Sequence, residues 1–119
     1  VNDILELGRT ANIAIFTVGA FNADSVIFNL SNISARQRRI LEREAVGDIV
    51  SRLINSSGKI CSKELDERTN GINLDELKAK SQRILVAGGS DKWPAIKAAL
   101  AGGYANILIT DQFTAHFLL

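Results

Sequence analysis

The segment RILVAGG, residues 83–89, is apolar from Ile84 to Ala87 with no polar alternation, and it stops on two glycines. A strand that is apolar on both sides has to be covered on both sides, as in parallel sheets flanked by helices. Two other runs repeat the pattern. NIAIFTV (residues 12–18) is closed by Gly19, and ANILIT (105–110) leads into Asp111. Between the last two runs a helix is predicted from about Asp91 to Ala101, with Trp93, Ile96 and Leu100 at helical spacing and Gly102 and Gly103 as its stop. Strand, helix, strand, helix is the order of an α/β fold. Runs 12–18, 83–87 and 106–110 are therefore predicted to be parallel strands of one sheet with right-handed crossovers.

Other signals punctuate the rest. Residues 1–8 read as the end of a helix. Asn22, Asp24 and Ser25 mark a polar loop and a helix start. Ser34 and Gln37 have capping-box spacing for a helix that runs to about Ala45, with Gly47 at its stop. IVSRLI (49–54) reads as one strand, NSSG as a turn and KIC as the returning strand. Asn73 and Glu76 repeat the capping spacing before LDELKAK, and Asp111 is placed to cap the last helix.

A length of 119 residues suits one domain with a modest core. A net charge of +1 supplies no basic field for a nucleic acid or a membrane. The single cysteine, Cys61, excludes an internal disulfide and fits a reducing, cytoplasmic setting. No apolar run is long enough to span a bilayer. The chain has no methionine, and FTAHFLL stops in mid-pattern. The sequence is therefore expected to be part of a longer protein, with an uncovered apolar face or self-association as the consequence.

Ligands of open parallel sheets bind beyond the carboxyl ends of the strands. The loop AGGSDK is the first place to look. Gly88 and Gly89 allow a sharp turn and close approach, and the amides of the next helix favour an anion. Lys92 lies in the first turn of that helix, a cation placed against the helix dipole. Either it reaches into solvent, or an anionic or electron-rich ligand offsets its position. Asp48, between a helix stop and a strand, either caps a local turn or accepts from ligand hydroxyls. Trp93 anchors its helix or lines a pocket next to Lys92.

His116 has no Cys, Asp or Glu at metal spacing and Cys61 no activating neighbour, so no metal, cofactor or catalytic residue is expected. Arg36, Arg38, Arg39 and Arg43 share a helix with Glu42 and Glu44, which reads as a solvated face. The G-x-x-x-x-G-K-[ST] phosphate loop is absent, and neither VGAFNA nor AGGSDK supplies the dinucleotide pattern G-x-G-x-x-G.

The order AVGDI, S-S-G turn, NGINLDELKAK, ILVAGGSDKWPAIKAAL, AGGYANILITDQFTAHFLL resembles the C-terminal half of the effector-binding domain of SorC-type transcriptional regulators, sometimes grouped with DeoR regulators. The resemblance implies a Rossmann-like, three-layer parallel sheet related to sugar-phosphate isomerases and deaminases. Residues 1–119 would form part of that domain. It further implies a bacterial regulator whose effector is a phosphorylated sugar or related polyol phosphate. By the same resemblance Asp48 contacts ligand hydroxyls and Lys92 faces the ligand beside Gly88 and Gly89. DNA binding would belong to a helix-turn-helix domain outside this chain, and a homo-oligomer is expected. Near the first strand such regulators show a V-G-I-G-like turn, of which TVGAF keeps only Gly19. The competing reading is an isomerase or deaminase of the same fold. It needs a general acid and base, and no spacing ties Asp48 to His116. A fragment serving only oligomer contacts is the remaining alternative.

Overall fold

The structure is a computed structural model that describes residues 2–22 and 33–119. The helix start read at Asp24 and Ser25 lies outside the described residues. In chain order the elements are α1 (Asn2–Thr10), β1 (Ile13–Phe16), β2 (Val18–Ala20), α2 (Ala35–Glu44), β3 (Gly47–Ile49) and β4 (Arg52–Ile54). They continue with α3 (Lys63–Glu67), α4 (Leu74–Lys78), β5 (Gln82–Val86), a 3-10 turn (Ser90–Lys92), α5 (Trp93–Ala101), β6 (Ile107–Ile109) and α6 (Gln112–Leu118).

The three apolar runs do form one parallel sheet, in the order β1-β5-β6. Paired residues put Phe16, Leu85 and Leu108 on one face and Ile15, Ile84 and Ile107 on the other. Phe16 and Leu85 are buried, with Leu108 packed against them. The opposite face is open: Ile15 is 71% exposed, and Ile13, Val86, Ile107 and Ile109 are exposed as well. The expected uncovered apolar face is present, on a kind of sheet that is ordinarily covered on both sides.

Two strand readings need correction. The run 12–18 does not stay in one sheet: Thr17 is exposed, and Val18 opens β2, which pairs antiparallel with β3 in a second sheet of order β2-β3-β4. Residues 49–54 are not one strand but a hairpin. Val50 (φ 46°) and Ser51 (φ 70°) form its two-residue loop, and Ile49 pairs with Arg52. Two successive positive φ angles match the twist of a tight hairpin. No Asn-Gly or Asp-Gly announces it; instead Asp48 Oδ2 accepts the Ser51 amide at 3.1 Å. The returning strand at KIC reduces to a single bridge, Ile54 to Ile60. Helix α3, capped by Ser62 through the Leu65 amide (3.3 Å), was not anticipated.

The capping signals are realised. Ser34 and Gln37 exchange side-chain and backbone hydrogen bonds (3.1 Å each) at the start of α2, and Asn73 and Glu76 do the same for α4. Helix α5 buries Ala95, Ile96, Ala98 and Ala99 and lies against β2 and β3. Its small side chains allow that approach: a side chain on Gly47 would collide with Ala95 Cβ and the Gly19 carbonyl. Trp93 and Leu100, read as its buried face, are only half-buried.

Candidate functional site: the loops beyond β5 and β6

β5 and β6 run in register to the Ala87 amide, which donates to the Ile109 carbonyl at 3.2 Å. Beyond that bond the two chains diverge into AGGSDK and TDQ, and a carboxylate continues the link between them. Asp111 Oδ2 accepts the Gly89 amide at 2.9 Å, while Oδ1 accepts the Thr114 amide at 2.8 Å as the cap of α6. The Thr114 hydroxyl also donates to Oδ2 (3.0 Å), and Trp93 Nε1 donates to that hydroxyl (2.8 Å). Trp93 is stacked on Phe117 with ring centres 4.4 Å apart. Hydrogen bonds from the Thr114 and Gly89 amides hold the Asp111 carboxyl below its ordinary pKa of 3.8. Gly89, at φ 92°, makes the turn, and a side chain on Gly88 would run into Asp111 Oδ2. A cleft of about 360 Å³ opens here, lined by Gly89, Ser90, Trp93, Asp111 and Phe113.

Lys92 closes the 3-10 turn and is the N-cap residue of α5; its amide donates to the Gly89 carbonyl at 3.1 Å. The residue is half-buried, and no described residue pairs with its ammonium. Asp48 sits in β3 opposite Gly19 of β2. One oxygen caps the hairpin turn, as the local reading required. The other, Oδ1, rests over Gly19 so closely that a side chain there would collide with it. That oxygen has no hydrogen-bond donor among the described residues. β2 touches both β3, which carries Asp48, and the 3-10 turn that ends on Lys92. β2 is thus a common neighbour of the two elements that carry the candidate residues. Gly89 lines the cleft; Asp48 and Lys92 are not among its lining residues.

Two buried cations were missed by sequence reading. Arg52, 4% exposed, donates to the carbonyls of Asp66, Thr69, Gly71 and Ile72 and to Asp66 Oδ1, at 2.7–3.1 Å. It borders a second cavity of about 200 Å³, with Leu53, Ile60, Leu65 and Thr69 among the walls. Lys80, 6% exposed, reaches the carbonyls of Gly8 (2.6 Å) and Ala11 (2.7 Å) and so closes the carboxyl end of α1. The only signal for Arg52 was a charge inside a largely apolar strand pattern. Burial, followed by the Glu44 charge, pushes the Cys61 thiol up to about 11, which leaves it a poor nucleophile. His116 is exposed on α6. No helix among the described residues is long and apolar enough to cross a membrane.

The fold is an α/β domain in which the loops beyond β5 and β6 are joined through Asp111. Residues 1–119 match throughout the family described as "Putative sugar-binding domain". The chain belongs to that family, the sugar-binding domains of DeoR/SorC-type transcriptional regulators. It is 44% identical over 119 residues to the deoxyribonucleoside regulator of Bacillus subtilis, an alignment that takes in all of this chain and 38% of that protein. A DeoR family transcriptional regulator from Listeria monocytogenes superposes with a TM-score of 0.82 at 28% identity, covering 99% of this chain and 48% of that one. The full-length sorbitol operon regulator SorC of Klebsiella pneumoniae gives 0.80 at 25% identity, covering 98% and 38%. The chain therefore spans less than half the length of each of these regulators.

Proposed function

We propose that this chain is the later part of the effector-sensing domain of a bacterial transcriptional regulator, and that its effector is a phosphorylated sugar or related polyol phosphate. The observation that carries the reading is Lys92, a half-buried residue at the loop beyond β5 whose ammonium is unpaired among the described residues. An anionic oxygen at that position completes it with a charge-assisted hydrogen bond. The free oxygen of Asp48 suits a donor such as a sugar hydroxyl. Because Asp111 already holds the Gly89 amide, the effector meets Lys92 rather than that amide, and Gly88 and Gly89 serve close approach.

The regulator is proposed to act in the cytoplasm as a homo-oligomer, without catalysis or a cofactor. It would reach DNA through a helix-turn-helix domain elsewhere in its chain. The open face bearing Ile13, Ile15 and Ile109 would be covered by the remainder of the effector domain, in line with the small share of each relative that this chain spans. The test is calorimetric titration of the regulator with pentose and hexose phosphates and their free sugars. Lys92→Ala is expected to weaken binding of the phosphates roughly ten- to a hundredfold, the loss of one charge-assisted hydrogen bond. Asp48→Asn should alter selectivity among sugars more than anion affinity. Parent-like binding by both variants, or turnover of a phosphate by the parent, would overturn the reading.

A further inference from the structure

We infer that Asp111 is a positioning residue for the effector loop: its carboxylate fixes the Gly89 turn and the Trp93 ring and thereby sets where Lys92 points. The inference rests on the proposed role of Lys92 and deepens it. Two separate hydrogen-bonded routes join Asp111 to the Lys92–Trp93 pair. One runs from Oδ2 to the Gly89 amide and, across that same residue, from the Gly89 carbonyl to the Lys92 amide. The other runs from Oδ2 through the Thr114 hydroxyl to the indole of Trp93. The carboxylate thus grips both sides of the dipeptide that starts α5. A helix cap alone would need only Oδ1 on the Thr114 amide. The second oxygen, with its bonds to a different loop, is surplus to capping. Its approach is the reason position 88 accepts no side chain.

The geometry also sorts what each group contributes. Gly89, with φ at 92°, adopts a conformation that a lone turn would leave free to move. Held at its amide and its carbonyl, it presents Lys92 without an ordering cost at the moment of binding. The Asp111 carboxylate acts on the effector only through the lysine it orients. Its effect is therefore confined to ligands that use Lys92.

Asp111→Ser separates the roles, because serine still caps α6 but cannot reach the Gly89 amide. The first measurement needs no ligand: amide hydrogen exchange by NMR at Gly89 and Lys92 should quicken about tenfold in the variant, as expected for one lost hydrogen bond. The emission of Trp93, the single tryptophan, should shift as its Thr114 partner loosens. The second measurement is calorimetry of the regulator with the same sugar phosphates, in a cycle with Lys92→Ala. Asp111→Ser should weaken binding about tenfold in the parent and leave it unchanged in the Lys92→Ala background. Unaltered exchange at Gly89 overturns the inference. So does a loss of affinity that persists in the Lys92→Ala background, which marks a general structural role. An intact Lys92 effect without an Asp111 effect sinks this inference alone. If Lys92→Ala binds like the parent, the site reading fails and takes the inference with it.

Discussion

Arg52→Met removes every polar contact of a side chain that is 4% exposed and keeps much of its volume. The guanidinium uses its nitrogens on four carbonyls and one carboxylate between Asp66 and Ile72. That stretch is the end of α3 and the loop to α4; the Asp66 carbonyl also accepts the Thr69 amide at 3.1 Å, whereas the carbonyls of Thr69, Gly71 and Ile72 are met by the guanidinium. Truncating one partner of a buried charged pair costs about 3–5 kcal/mol, and each buried group left unpaired costs about 1–3 kcal/mol. A simple sum would exceed the stability of most domains. The adjoining 200 Å³ cavity decides against that sum, because water entering from it can serve some of the carbonyls. We expect a loss of about 3–5 kcal/mol, hence a fall in melting temperature of roughly 10–20 °C. Arg52→Lys should recover only a minor part, since one ammonium offers three donors in place of a planar fork. Urea melts and hydrogen exchange of residues 66–72 are the assays. A loss below about 1 kcal/mol for Arg52→Met would show that water replaces the guanidinium outright, and the clasp would carry no weight in the fold.

Three further outcomes follow from groups with defined surroundings. The Asp111 carboxyl is more acidic folded than unfolded, so its contribution to stability is fully present above pH 3.8 and is lost as pH falls through its lowered folded value. The difference in stability between the parent and Asp111→Ala should accordingly be constant at neutral pH and shrink in acid melts. Cys61, at about 11 instead of 9.0, should be alkylated about a hundredfold more slowly than a small free thiol at pH 8, as followed by mass spectrometry. Tyr104→Phe removes the buried hydroxyl that donates to the Gly58 carbonyl at 2.6 Å and should cost about 1–2 kcal/mol in a urea melt.

The parallel sheet was legible because two-faced apolar runs have few other uses, and the capping boxes because Ser34–Gln37 and Asn73–Glu76 act over three residues. What escaped was tertiary. The hairpin at Val50–Ser51 depends on a carboxylate two residues earlier rather than on turn residues of its own, and a β-branched residue at positive φ runs against every local preference. Arg52 and Lys80 find their acceptors far along the chain, at Asp66–Ile72 and Gly8–Ala11, where no periodicity points. At the candidate site, Gly88, Gly89 and Lys92 singled out this loop as the place to look, and its ligand role is proposed. Asp111 was legible as a cap, but its second oxygen on Gly89 joins two loops that only the sheet order makes neighbours.

That sheet order also sets a sequence of events in time. β5 and β6 are separated by little more than one helix, so they form a local right-handed unit with a short loop to close. β1 pairs with β5 only after the antiparallel sheet and, among the described residues, three helices have intervened. Closing that longer loop costs about 1 kcal/mol more. The central strand is therefore expected to recruit β6 early and β1 late. On this expectation Ile15 contributes little to the folding transition state, and a high φ-value there would contradict it. Substitutions in β1 should chiefly quicken unfolding and leave the folding rate nearly untouched. Because Lys80 fastens the carboxyl end of α1 just ahead of β1, helix and edge strand should detach together, as the first part of the molecule to open.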